Sequence, residues 1–199
     1  FLILVPVFTV VFWPYLWPNP IVNFLEAFKS FSSFWFNIQN FYFGNYIMAT
    51  DVPWHYSLVW IAITTPIIYG VFFIFGFYIN SVRFIKRLLS IDKNKELNDL
   101  WRGKKEMLDL IILFSFFVPI FLVITLNSTL HDGWRHLYFI YPSFLLISIY
   151  GFDKIIKKIK RKNLQKYFIL TVMLFLMINL INMFKIHPYQ NVYFNYLAG

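Results

Sequence analysis

Apolar positions in this chain fall in long, almost unbroken runs rather than in the stripes of a water-soluble helix. Leu58–Ile79, Met107–Asn127, Leu137 to about Phe152 and Tyr167–Phe184 read as four full membrane spans; a crossing helix needs ~20 apolar residues. An earlier run, Phe1 to Trp13, is too short to cross and reads as the end of a helix that starts upstream. The prolines of Trp13-Pro14-Tyr15-Leu16-Trp17-Pro18-Asn19-Pro20 close it, and its Trp and Tyr side chains suit the headgroup level. Residues 18–57 form a long polar-aromatic loop. Within it Ile21 to Phe36 repeats at helical spacing, with Phe24, Leu25, Phe28, Phe31 and Trp35 near one face. That pattern predicts a helix lying along the interface. Phe41-Tyr42-Phe43-Gly44-Asn45-Tyr46 predicts a short extended or turn segment. The fold class is therefore all-α: a single polytopic transmembrane domain with one partial and four full spans plus an interfacial helix.

Composition agrees. Hydrophobic residues make up 59% and charged residues 14%, against roughly 25% charged in soluble domains. Without cysteine there is no disulfide and no thiolate metal site. The net charge of +9 is placed unevenly. Loop 81–106 holds eight of the 18 basic residues, and loop 153–166 holds seven. Both loops fall on one side of the four spans, and the positive-inside rule makes that side cytoplasmic. The charge is thus a topology signal and not a nucleic-acid surface. All four histidines (His55, His131, His136 and His187) then fall on the outer side, in the loops and in the tail 185–199. So do Glu26, Asp51, Asp132 and Arg135.

The densest chemistry is the turn His131-Asp132-Gly133-Trp134-Arg135-His136, between two spans. Arg135 and His136 stand where a helix beginning near Leu137 would start, and a helix N-terminus favours anions. Arginine adds a planar fork that matches phosphate oxygens and stays charged. His131 could donate, or act as acid or base near neutral pH. The plainer reading is an Arg135–Asp132 pair that anchors the helix end. Asp51-Val52-Pro53-Trp54-His55-Tyr56 is a stiff aromatic entry to a span. Asp51 and His55 could serve an acceptor there, or Asp51 could simply cap the helix. The tail around His187, Tyr189 and Gln190 is rich in amides and tyrosines, which suits sugar hydroxyls and fits a plain loop equally. No His-x-x-x-His pair is present. No cofactor is expected, and a divalent metal among the outer histidines is the minor alternative. Gly-rich phosphate loops, Gly-x-Ser-x-Gly and dinucleotide fingerprints are absent.

Three stretches carry a resemblance: Asp51-Val52-Pro53-Trp54-His55-Tyr56, Trp134-Arg135-His136-Leu137-Tyr138-Phe139-Ile140-Tyr141-Pro142, and His187-Pro188-Tyr189-Gln190-Asn191-Val192-Tyr193-Phe194-Asn195-Tyr196-Leu197-Ala198-Gly199. Together they resemble the C-terminal part of the membrane domain of lipid-carrier-dependent glycosyltransferases of the GT-C type, the protein O-mannosyltransferase and aminoarabinose-transferase group. The resemblance implies inverting transfer of a sugar from a polyprenyl-phosphate donor to a protein, lipid or glycan acceptor. It implies a bacterial inner-membrane location, with the site facing the periplasm or exterior. Arg135, with His136 and His131, would neutralise the carrier phosphate, while Trp54, Tyr138 and their aromatic neighbours would line the sugar and lipid entry. The family's catalytic carboxylate lies in an earlier outer loop, so it is expected upstream of Phe1. His55 stands where many relatives have Tyr, which puts the acceptor side in doubt. The rivals are a transporter or flippase for a polar or lipid-linked substrate, and a non-catalytic membrane subunit. A transporter predicts charged or broken helices at mid-membrane. Here the spans are nearly uncharged, and Pro66 and Pro119 are the only obvious breaks.

Overall fold

The structure is a computed structural model that describes residues 4–32, 38–89, 100–101, 103–190 and 193–198. It divides into two compact units, residues 1–51 and residues 52–199.

In the first unit, helix α1 (Leu4–Phe12) leads through a single 3-10 turn (Pro14–Leu16) to helix α2 (Pro20–Ser32). Side chains fasten the corner. Trp17 Nε1 donates to Val10 O at 3.0 Å, and Asn23 Nδ2 to Tyr15 O at 2.6 Å. The expected interfacial helix is α2, with Ile21, Phe24, Leu25 and Phe28 exposed. Its expected continuation through Trp35 to Phe36 falls outside the described residues. The expected turn segment is a hairpin of β1 (Gln39–Tyr42) and β2 (Asn45–Met48), with Tyr42 opposite Asn45. Phe43 and Gly44 both take positive φ (47° and 80°), as a two-residue hairpin loop of the tightest kind requires. The hairpin is a small exception in a helical chain.

In the second unit, four helical stretches are long and apolar enough to cross a membrane: α4 (Ile67–Leu89), α5 (Gly103–Thr125), α6 (Tyr141–Lys158) with the 3-10 segment before it (Arg135–Ile140), and α7 (Lys162–Lys185). The fold is that of a polytopic helical membrane protein. The helices run past the expected spans into the basic loops. Backbone hydrogen bonding does not stop at the membrane surface, and the charged ends pair across helices. Arg83 Nη1 on α4 meets Asp109 Oδ2 on α5 at 2.9 Å. Arg87 Nη2 meets Glu106 Oε1 at 3.0 Å. Arg83 also donates to the Tyr150 hydroxyl of α6 at 3.4 Å. The basic ends of α4, α5 and α6 are therefore gathered at one end of the bundle. Because these two ion pairs are mostly shielded from water, Arg83→Met is expected to cost about 2 kcal/mol by stranding Asp109. The exposed Lys157–Asp153 pair should cost at most about 1 kcal/mol when Lys157 becomes alanine. Unfolding in detergent micelles measures both.

The core lies where α4, α5 and α6 meet. Phe73 stacks on Phe144 with ring centroids 4.7 Å apart and packs on Phe116 at 4.8 Å. At the α4–α6 crossing the backbones nearly touch. A Cβ on Gly76 would run into the Ile147 carbonyl, and one on Gly151 into the Phe72 carbonyl. Small residues at such crossings are how membrane helices gain packing where lipid offers no hydrophobic contrast. Ser148 Oγ adds a bond to Tyr69 O at 3.0 Å across the same crossing.

At the other end, α5 stops at Thr125. Asn127 takes φ 45°, Ser128 N donates to Val123 O (3.1 Å), and Asn127 N donates to Ile124 O (3.3 Å). That is a Schellman stop with asparagine in the left-handed position.

The expected span Leu58–Ile79 is not one helix. It is α3 (Tyr56–Thr64) and α4, broken at Thr65-Pro66. The residue before a proline is pushed out of the helical region, and Thr65 sits at φ −106°, ψ 147°. Pro119, by contrast, is accommodated inside a continuous α5.

Candidate functional site

The 131–136 turn sits at the end of the bundle opposite the basic helix ends. Asp132 (φ 54°) and Gly133 (φ 73°) both adopt left-handed backbone, which aspartate tolerates and glycine favours. Gly133 is needed for space as well, since a Cβ there would stand 3.1 Å from the Trp60 indole. The Gly133 N–H donates to the Tyr56 hydroxyl at 3.1 Å. Trp134 is buried, and its Nε1 donates to Thr64 Oγ1 at 2.8 Å. Two hydrogen bonds therefore hold the turn to α3.

The polar side chains of the turn pair with one another. Arg135 Nη2 lies 3.4 Å from Asp132 Oδ2, with side chains 58% and 63% exposed. His136 Nε2 lies 3.1 Å from His131 Nδ1, and their rings meet edge to face. Tyr138 is half exposed and packs edge-on against Trp134 at 4.8 Å. The structure thus brings together His131, Asp132, Arg135 and His136 with an aromatic flank. The Arg135–Asp132 pair of the plainer reading does form. An exposed pair of this kind contributes about 0–1 kcal/mol, so it leaves the guanidinium available to a stronger anion.

The helix start expected near Leu137 is corrected. Arg135 begins a 3-10 segment, and α6 proper begins at Tyr141. Trp134 at the N-cap supplies no side-chain cap, and Pro142 sits in the first helical turn of α6. The anion argument therefore rests on the side chains and not on a long helix dipole.

The other expected residues form local groups. Trp54 is exposed and stands edge-on to His55 at 5.3 Å, at the entry to α3. Gln190 Nε2 and His187 Nδ1 are 2.7 Å apart in the tail, beside an exposed Tyr189. Asp51 is exposed and belongs to the first unit, where its N–H closes a turn after β2 onto Met48 O at 3.0 Å. Among the described residues no group of three or more His, Asp or Glu side chains is arranged to hold a metal ion. Comparison of the chain with protein-family models, curated proteins and solved structures finds no match.

One residue was hidden in the sequence. Asn195 is buried in the tail and serves the α3–α4 break. Pro66 has no N–H, so the Ala62 carbonyl loses its helical partner. Asn195 Nδ2 donates to Ala62 O (2.7 Å) and to Thr65 O (2.6 Å), and its own N–H donates to Ile63 O (2.8 Å). Thr64 Oγ1 and Thr65 Oγ1 close the carbonyls of Trp60 and Ile61 at 2.6 and 2.7 Å. The sequence signal was Thr-Thr-Pro inside an apolar run, which demands donors from elsewhere. Nothing local named the donor.

Proposed function

We propose that the 131–136 turn binds the phosphate of a lipid carrier, and that the protein transfers a sugar from a polyprenyl-phosphate donor to an acceptor at the outer face of the membrane. The observation that carries this reading is the exposed Arg135–Asp132 and His131–His136 cluster. It lies at the bundle end away from the basic helix ends and is braced to α3 through Gly133 and Trp134. A phosphate offers Arg135 charge-assisted bonds of about 1.5–3 kcal/mol, which exceeds the exposed Asp132 pair. Asp132 then swings aside or accepts from a histidine.

In such a transfer the acceptor hydroxyl attacks the anomeric carbon as the carbon–oxygen bond to phosphate breaks. The hydroxyl proton goes to a general base, for which this reading assigns no residue within 1–199. The carrier phosphate leaves with added negative charge, which Arg135 stabilises. A histidine of the 131/136 pair can supply a proton to it. Trp54, Tyr138, His187, Tyr189 and Gln190 are the sugar- and lipid-contacting candidates on this reading, with His55 on the acceptor side.

The transport alternative draws on the broken span α3–α4, because unwound backbone at such breaks coordinates cargo in transporters. Here the carbonyls of Trp60, Ile61, Ala62, Ile63 and Thr65 are taken by protein donors. The break is closed rather than presented to a ligand, which favours the transferase reading.

Binding of a fluorescent polyprenyl phosphate to the chain in nanodiscs tests the proposal. Arg135→Ala is expected to weaken binding about 10- to 100-fold, equivalent to the charge-assisted bonds above, with Arg135→Lys intermediate because it keeps the charge and loses the fork. Equal binding by wild type and Arg135→Ala would remove the phosphate assignment.

A further inference from the structure

We infer that Asn195 is a positioning residue for the 131–136 turn and acts on it through helix α3. Helix α3 has nine residues, too few for a helix to hold itself. Its placement is decided by what clasps it. On one side is the tail: Asn195 takes the carbonyls of Ala62, Ile63 and Thr65, and Phe194 packs on Trp60 with centroids 5.7 Å apart. On the other side is the turn: Tyr56 receives Gly133, Thr64 receives Trp134, and the Trp60 indole lies against Gly133. Trp60 is shared between the two clasps, and Thr64 lies between the Ile63 and Thr65 carbonyls that the tail holds. Movement of the last turn of α3 therefore moves the seat of Trp134 and Gly133, and with it the side chains of His131 and Arg135.

The chemistry of the asparagine amide fits this role. Its two Nδ2 hydrogens reach two carbonyls, while Oδ1 accepts from Leu197 N at 2.8 Å. Every polar atom of the side chain is used. Aspartate donates to neither carbonyl when ionised and to only one when protonated, and leucine can neither donate nor accept. The tail is itself tied back to α7 by Tyr193, whose hydroxyl donates to Asn179 Oδ1 at 3.2 Å. From Pro66 to Arg83, α4 covers about 25 Å at ~1.5 Å per residue. The break therefore lies within the ~30 Å hydrocarbon layer, near its edge. Water cannot readily replace Asn195 there.

The functional meaning of this role rests on the phosphate reading above, but the geometry can be read separately. The experiment uses the intact chain in nanodiscs with ¹⁵N-labelled histidine. His131→Gln and His136→Gln assign the imidazole signals. In wild type, the nitrogens of His131 and His136 are expected to show the shifts of a hydrogen-bonded pair. Asn195→Leu and the near-isosteric Asn195→Asp should each lose that signature and weaken polyprenyl-phosphate binding at least 10-fold. Ser148→Ala, which removes the α4–α6 bond far from the turn, should lower the melting temperature yet leave the signature intact. If Asn195→Asp melts lower but keeps the wild-type histidine signature, Asn195 is structural only and the inference is overturned. Loss of the signature in a chain whose wild type binds no polyprenyl phosphate would uphold the positioning role and sink the phosphate reading instead.

Discussion

Gly151→Val is expected to force the helix bundle apart at its tightest crossing, destabilising it by at least about 3 kcal/mol. The obstacle is backbone, which cannot rotate away as a side chain can. Even the Cβ alone meets the Phe72 carbonyl, and it comes within 2.7 Å of the Gly76 nitrogen. Helices α4 and α6 must separate, which also pulls Ser148 Oγ from Tyr69 O and unstacks Phe73 from Phe144. Gly70 on the same helix α4 is the control, because a Cβ there meets nothing within 4 Å. Gly70→Ala should stabilise by up to about 1 kcal/mol through helix propensity alone. Thermal and SDS-induced unfolding of the three proteins gives the comparison. A Gly151→Val protein as stable as wild type would mean that the helices do not cross this closely.

Trp134→Ala is expected to cost about 4 kcal/mol and to disable the turn at the same time. Trp134 is buried with Ile61, Leu137 and Ile140 in the core cluster. Removing it opens a cavity and takes away the donor to Thr64 Oγ1, which keeps its own bond to Trp60 O. Trp134→Phe keeps most of the volume and loses only the indole N–H, so it should cost about 1 kcal/mol. The pair of variants separates packing from hydrogen bonding. Both should weaken phosphate-lipid binding, Ala far more than Phe. Binding unchanged in Trp134→Ala, at a temperature where the protein is folded, would show that the turn keeps its geometry without this anchor.

The spans were legible because hydropathy is a local property. Met107–Asn127 lies close to α5, Tyr167–Phe184 lies inside α7, and Arg83 at the basic end of α4 pairs with Asp109 of α5 and Tyr150 of α6. Boundaries were not legible to the residue. Charge at Arg83 or Asp153 ends an apolar run but not a helix, and the Arg83–Asp109 pair favours continuing it. The break at Thr65-Pro66 was visible as a proline, yet the same feature in Pro119 leaves α5 unbroken. At Thr65-Pro66 the opened carbonyls take donors from Asn195, far along the chain. The cluster of His131, Asp132, Arg135 and His136 was legible because its members lie within six positions. Its supports were not. Tyr56, Thr64 and Asn195 act over separations of 77, 70 and 130 residues, and no periodicity reports such pairs.

The closure of the α3–α4 break by Asn195 also sets an order of biogenesis. A ribosome delivers Pro66 long before it delivers Asn195, so for most of synthesis the Ala62 and Ile63 carbonyls have no partner within the nascent chain. Leaving such groups in hydrocarbon costs several kcal/mol each. Helix α3 is therefore expected to seat fully only once the segment that carries Asn195 has been made. The seat of the 131–136 turn is then expected to be completed only after Asn195 has been made, later than the helices that surround it.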